Sequence, residues 1–155
     1  MTRRRLQNGK KMENILKAAG PTGATIKKAD EWDLSVYILA PEDVLDWDEE
    51  DNLSFWVEMC ASKDFHGDLL MDPLMRICLK KDQKGQIIQA IPKFYQSDNL
   101  VLGRMEINEK GEIFINRELV ETNPEELDER LENWLHSIDL IGYLREPNEI
   151  IFHKA

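Results

Sequence analysis

Asp64, His66 and Asp68 alternate along the chain, and alternate residues of an extended backbone point to the same side. Two carboxylates and an imidazole converging in that way could hold a cation such as Mg²⁺ or Mn²⁺, the equipment of a metal-dependent nuclease or hydrolase. Asp72 stands close behind them. The same stretch also serves a simpler purpose. Gly67 can take positive φ, Pro73 biases Asp72 away from the helical region, and Asp68 and Asp72 can accept bonds from turn amides. Isolated Asp and His residues at this spacing recur by chance, so Gly67, Asp68, Asp72 and Pro73 are read first as a structural corner. The Asp64–His66–Asp68 metal set is the alternative.

The other reactive side chains assemble into nothing that spacing alone defines. There is no Gly-rich phosphate loop, no paired-cysteine zinc pattern and no nucleophile elbow, so no cofactor and no catalytic set is expected. His136 falls on an expected helix and His153 near the end, apart from both Cys60 and Cys78. The two cysteines read as small hydrophobes, and Glu58 as the cross-strand partner of Lys80.

Charge is more informative. The chain of 155 residues carries a net charge of −10, while its first eleven residues hold five bases and no acid, leaving −15 from Met12 onward. Such a surface repels phosphate backbones, which disfavours direct nucleic-acid binding and suits a basic protein partner. The most acidic stretch, Pro41 to Asn52, has seven carboxylates. Within it Asp46, Asp48, Glu49, Glu50 and Asp51 form a candidate interaction patch around Trp47. Its spacing is not that of a calcium loop, and a solvated loop is the plainer reading. No apolar run is long enough for a membrane span, and two cysteines fit a reducing, cytoplasmic setting rather than a disulfide scaffold.

The elements that must position these residues follow from periodicity. Residues 1–11 read as a basic, disordered segment ahead of a single domain over 12–155. A short helix is predicted from about Lys11 to Ala19, stopped by Gly20-Pro21. Strands are expected at Thr25–Lys28 and Leu34–Leu39. Two arms follow within Leu53–Leu79, the first alternating from Leu53 to Ala61, with a polar corner or longer loop over Lys63–Pro73 between them. They pair antiparallel about Leu69 so that Met59 faces Leu79, Ser62 faces Arg76 and Cys60 faces Cys78. Gln86–Pro92 reads as a buried strand, Phe94–Asn99 as a loop with exposed aromatics, and Leu100–Ile107 with Glu112–Ile115 as a hairpin. Asn123, Pro124 and Glu126 announce a helix whose stripe is Leu127, Leu131, Trp134, Leu135, Ile138 and Ile141, ended by Gly142. The tail Glu149–His153 can add an edge strand.

His66-Gly67-Asp68-Leu69-Leu70-Met71-Asp72-Pro73-Leu74-Met75 resembles the Gly-Asp-Leu-x-x-Asp-Pro-x-Met corner of a family of small proteins carried by phages, plasmids and conjugative elements. Ala90-Ile91-Pro92-Lys93-Phe94-Tyr95-Gln96-Ser97-Asp98 is similar to the Pro-x-x-Tyr-x-x-Asp stretch of the same family. This chain departs from it by inserting the acidic Pro41–Asn52 segment and by a less aromatic second motif. The resemblance implies an α+β fold and an origin in a mobile element, and no reaction.

Together these readings predict an α+β protein: a mostly antiparallel twisted sheet of about five or six strands, with a short N-terminal helix and a longer C-terminal helix packed on one face. The expected function is that of a non-enzymatic accessory protein of a mobile element acting through a protein partner. In its sharpest form it is an acidic inhibitor of a nucleic-acid-binding host defence protein. The alternative is the metal-dependent enzyme of the Asp64–Asp72 corner.

Overall fold

The computed structural model describes residues 3–40, 54–97, 100–102, 104–107, 109–110, 113–116, 124–145 and 148–154. In chain order the elements are α1 (Arg3–Ala19), β1 (Gly23–Lys27), β2 (Asp33–Leu39), β3 (Ser54–Phe65), β4 (Asp68–Lys81), β5 (Ile87–Ser97), β6 (Leu100–Leu102), β7 (Arg104–Ile107), β8 (Ile113–Asn116), α2 (Pro124–Ile141) and β9 (Glu149–Phe152). The fold is α+β. Its main sheet has the order β6-β5-β4-β3-β2-β1-β9, and each neighbouring pair is antiparallel. The strands β7 and β8 form a separate hairpin.

Alternation dictates the layers. Ala24, Ile26, Leu34, Val36, Val57, Met59, Ile77 and Leu79 are all buried, and their pairing across the ladders places them on one face of the sheet. Met12, Ile15 and Ala19 of α1 and Leu127, Leu131, Leu135 and Ile138 of α2 join them in a single core. Both helices touch β5 and each other, and α1 also reaches β1. At the α1–β5 contact the backbones approach so closely that a Cβ on Gly9 would lie 3.1 Å from the Gln89 amide nitrogen. The C-terminal stripe of α2 behaves as its spacing predicts. Gly142, at φ 88°, ends the helix, its amide and that of Tyr143 both donating to the Ile138 carbonyl.

Three expectations require correction. The first concerns the N-terminus: Arg3 to Lys11 is not a disordered arm but the first half of α1. Two of its bases pair with acids of α2, Arg4 Nε donating to Glu132 at 2.9 Å and Arg5 Nε to Asp128 at 3.1 Å. Asn8 adds a bond from Nδ2 to the Asp128 carbonyl. A run that repels itself in isolation is thus stabilised by partners 120 or more positions away.

The second concerns the register of the central hairpin. Met59 pairs with Met75, Glu58 with Arg76, Ser62 with Met71, and Cys60 lies opposite Leu74. Up to Cys60 the predicted pairing is displaced by four residues, an even shift that leaves those side chains on their expected faces; beyond it an irregularity in the ladder makes the displacement five. Cys78 pairs with Trp56, so the cysteines are on adjacent strands but about 13 Å apart, beyond disulfide reach. Both are free and buried. Glu58 bonds Arg76 at 2.9 Å instead of Lys80.

The third is the end of β5. The strand does not stop at Pro92 but continues to Ser97, with Phe94 and Tyr95 buried rather than looped out. The register shift between Arg76 and Ile77 falls opposite Pro92, which has no amide to give the ladder.

Candidate functional site

The corner is tighter than the sequence suggests. Only His66 and Gly67 leave the ladder, with φ 55° and 88°, the double left-handed turn that suits the twist of a two-residue hairpin. Asp64 Oδ1 accepts the Gly67 amide at 3.1 Å. Asp64 pairs with Leu69 and Asp68 with Phe65, so both aspartates belong to the ladder on either side of the turn. Among the described residues no group of three His, Cys, Asp or Glu side chains is arranged to hold a metal ion. Asp72 and Pro73 do not turn the chain; they lie inside β4, joined by a cis peptide. The patch Asp46, Asp48, Glu49, Glu50 and Asp51, with Trp47, lies outside the described residues.

What Asp72 and Pro73 do form is a bulge. Cys60 pairs with Leu74 and Ser62 with Met71, so two residues of β4 oppose the single Ala61 of β3. The displaced carboxylate of Asp72 is held by the hydroxyl of Ser97, from the end of β5.

Beside this bulge lies a cavity of about 220 Å³, lined by Glu31, Trp32, Leu34, Ala61, Asp72, Pro73, Trp134, Ser137, Ile138, Ile141 and Tyr143. Three elements build it. The turn between β1 and β2, with Asp30 at φ 66°, presents Glu31 and Trp32. The bulge supplies Asp72 and Pro73. The last turns of α2 contribute Trp134, Ser137 and Ile141, residues that the helical stripe carries past the centre of the core. Tyr143, just beyond Gly142, donates its hydroxyl to the Trp32 carbonyl and ties the β1–β2 turn to the end of α2. Asn148 secures the same helix end, Nδ2 donating to the carbonyls of Gly142 and Tyr143 at 2.8 Å each.

The electrostatics of the cavity are one-sided. Its described lining includes two carboxylates and no lysine or arginine. Among the described residues, neither Glu31 nor Asp72 has a basic partner, whereas Asp33 is engaged by Lys27 at 3.1 Å. Burial, followed by the charges of Glu31 and Asp33, pushes the Tyr143 phenol up to about 12. A negative field at the phenol is thus a property of this corner of the molecule. Cys60, on the opposite face of the sheet, is pushed up to about 11 by burial and then by Glu58. A thiol held protonated in this way is a poor nucleophile or metal ligand at neutral pH.

Two tryptophans, a tyrosine and two carboxylates without a basic partner among the described residues line this small space, and aromatic rings with anionic groups are the combination that suits a cation. At about 220 Å³ the cavity falls below the ~300–1,000 Å³ of pockets for cofactors and drug-sized ligands, and matches one side chain. Its residues lie at 31–34, 61, 72–73 and 134–143, and sequence reading singled out only Asp72 and Pro73 as site residues. No family model matches the chain, and no curated protein or solved structure matches it significantly.

Proposed function

We propose that this chain is a non-enzymatic interaction protein that captures a lysine or arginine side chain of a protein partner in the cavity between α2 and the β3–β4 bulge. The observation that carries this reading is the pairing of Glu31 and Asp72, both without basic partners among the described residues, with the rings of Trp32, Trp134 and Tyr143. The net charge of −10 supports the same choice of partner. The resemblance of His66–Met75 and Ala90–Asp98 to mobile-element proteins supports the role of an accessory protein of such an element. A basic, nucleic-acid-binding cleft of a host defence protein is the class of surface that this chain would occupy.

The test is a titration with an N-acetylated, C-amidated Gly-Arg-Gly peptide, followed by calorimetry and tryptophan fluorescence. Binding is expected for wild type and should weaken about tenfold, the equivalent of 1.4 kcal/mol, in the double variant Glu31→Gln, Asp72→Asn. A Gly-norleucine-Gly peptide that binds equally well would overturn the proposal, as would an unchanged affinity in the variant. The acidic patch enters through the association rate. With the intact partner, replacing Asp46, Asp48, Glu49, Glu50 and Asp51 by Asn or Gln should slow binding and flatten its salt dependence. Identical rates at all salt concentrations would remove the patch from the interface.

A further inference from the structure

One end of the sheet is left open in a way that suits a second copy of the same chain. β9 is the terminal strand, paired on one side with β1 and, among the described residues, with nothing on the other. Natural edges are usually blunted by charge, proline or a bulge. Here Ile150, Ile151 and Phe152 run without interruption and are 38%, 44% and 60% exposed.

The hydrogen-bonding parity of the free edge follows from the occupied one. The His153 amide donates to the Gly23 carbonyl at 2.9 Å, so the backbone groups of residues 149, 151 and 153 face β1. Those of Ile150 and Phe152 consequently face outward. An antiparallel partner must match outward residues to outward residues, which restricts two-fold pairing of β9 with itself to axes at Ile150, Ile151 or Phe152. An axis at Ile150 sets Glu149 against Ile151, and an axis at Phe152 sets Ile150 against Lys154. Only the axis at Ile151 pairs Ile150 with Phe152 and Ile151 with Ile151, setting apolar residues against apolar residues at the centre of the junction.

We propose that β9 pairs with β9 of a second copy about a two-fold axis at Ile151, joining two sheets into one. Ile150 and Phe152 lie in register with Ile26 and Ala24, both fully buried, so the pairing extends the apolar layer of the core across the junction. A four-residue strand buries less than the ~1,200 Å² of a standard stable interface, and each copy carries −10, so the dimer is weak and concentration-dependent. Raising the salt concentration strengthens it by screening the repulsion, the opposite of the effect on basic-peptide binding.

Sedimentation velocity from low-micromolar to sub-millimolar protein should show a reversible dimer in the wild type. Ile150→Pro removes an outward amide and spares the ladder to β1, and should raise the dissociation constant about tenfold or more. Cysteine cross-linking fixes the register. At an axis through Ile151 the two Cα atoms form a non-hydrogen-bonded pair about 4.5 Å apart, within disulfide range, whereas two residues 150 lie about 8 Å apart. Ile151→Cys should therefore oxidise rapidly to a covalent dimer and Ile150→Cys should not, while native Cys60 and Cys78 stay buried. A monomer at every concentration, or equal cross-linking of the two variants, overturns the proposal.

Discussion

Replacing Arg5 by Met lowers the stability of this protein at pH 7 by about 3 kcal/mol, and part of the loss returns as the pH falls towards 5. Asp128 is the reason. Its side chain is 7% exposed, and the guanidinium of Arg5, itself 24% exposed, is its nearest counter-charge. Burial raises the Asp128 pKa; the charge and hydrogen bonds of Arg5 oppose the shift without cancelling it. A carboxylate whose folded pKa lies above its unfolded value binds its proton more readily in the folded state. The penalty it imposes is therefore full above the folded pKa and disappears as pH falls through it towards the unfolded value. Without Arg5 the folded pKa rises further, so the penalty grows and its relief begins at a higher pH. Urea unfolding of wild type and variant at pH 7 and pH 5 measures both effects. The double variant Arg5→Met, Asp128→Asn should recover much of the loss, because no charge is then left buried alone. A loss below 1 kcal/mol, or one independent of pH, would show that the ion pair does not hold α1 in place.

Gly23→Ala should cost about 3–5 kcal/mol, the sum of a left-handed residue that is no longer glycine and a steric conflict in a packed sheet. Gly23 opens β1 at φ 83°, and a Cβ there would sit 2.2 Å from the Val36 carbonyl oxygen, a backbone atom fixed in the β1–β2 ladder. The missing side chain also leaves room for Tyr37 of β2 and His153 just past β9. Their rings stack across it at 4.6 Å between centroids. The His153 ring meanwhile bonds Thr25 through Nε2 at 2.9 Å. Gly67→Ala is the matched control: its φ is 88°, yet no atom lies within 4 Å of the added methyl. That variant should lose only about 1 kcal/mol, the conformational term alone. Thermal unfolding of the pair separates crowding from backbone preference, and equal shifts in Tm would refute the steric account.

Much of this architecture was legible in local pattern. The apolar stripe from Leu127 to Ile141 and the glycine at its end predict α2, and Glu149–Phe152 forms the edge strand its composition suggests. The hairpin register was not legible, because alternating Leu53, Phe55, Val57 and Met59 pairs equally well after any even shift. Only the turn decides, and the two left-handed residues His66 and Gly67 close it two positions before Leu69. α1 was missed for a different reason. Arg3, Arg4 and Arg5 argue against a helix until Asp128 and Glu132 are brought alongside them, which no local window can reveal. The cavity shares this difficulty. Asp72 and Pro73 read as turn formers, and only the ladder shows that they are a bulge aimed at the end of α2.

The strand order has a kinetic consequence. From β1 to β6 every strand pairs with its neighbour in sequence, so six strands can zip up by successive short loop closures from the β3–β4 hairpin. β9 alone must return across more than 120 residues to reach β1. Its docking therefore belongs to the late, slow part of folding, and with only four rungs on one side it detaches readily once the protein is folded. Each such opening bares the outer edge of β1 while leaving the meander intact. Native-state hydrogen exchange in this sheet is thus graded from end to end, with the β1–β9 amides exchanging through local opening and those of β3 and β4 only with the whole molecule.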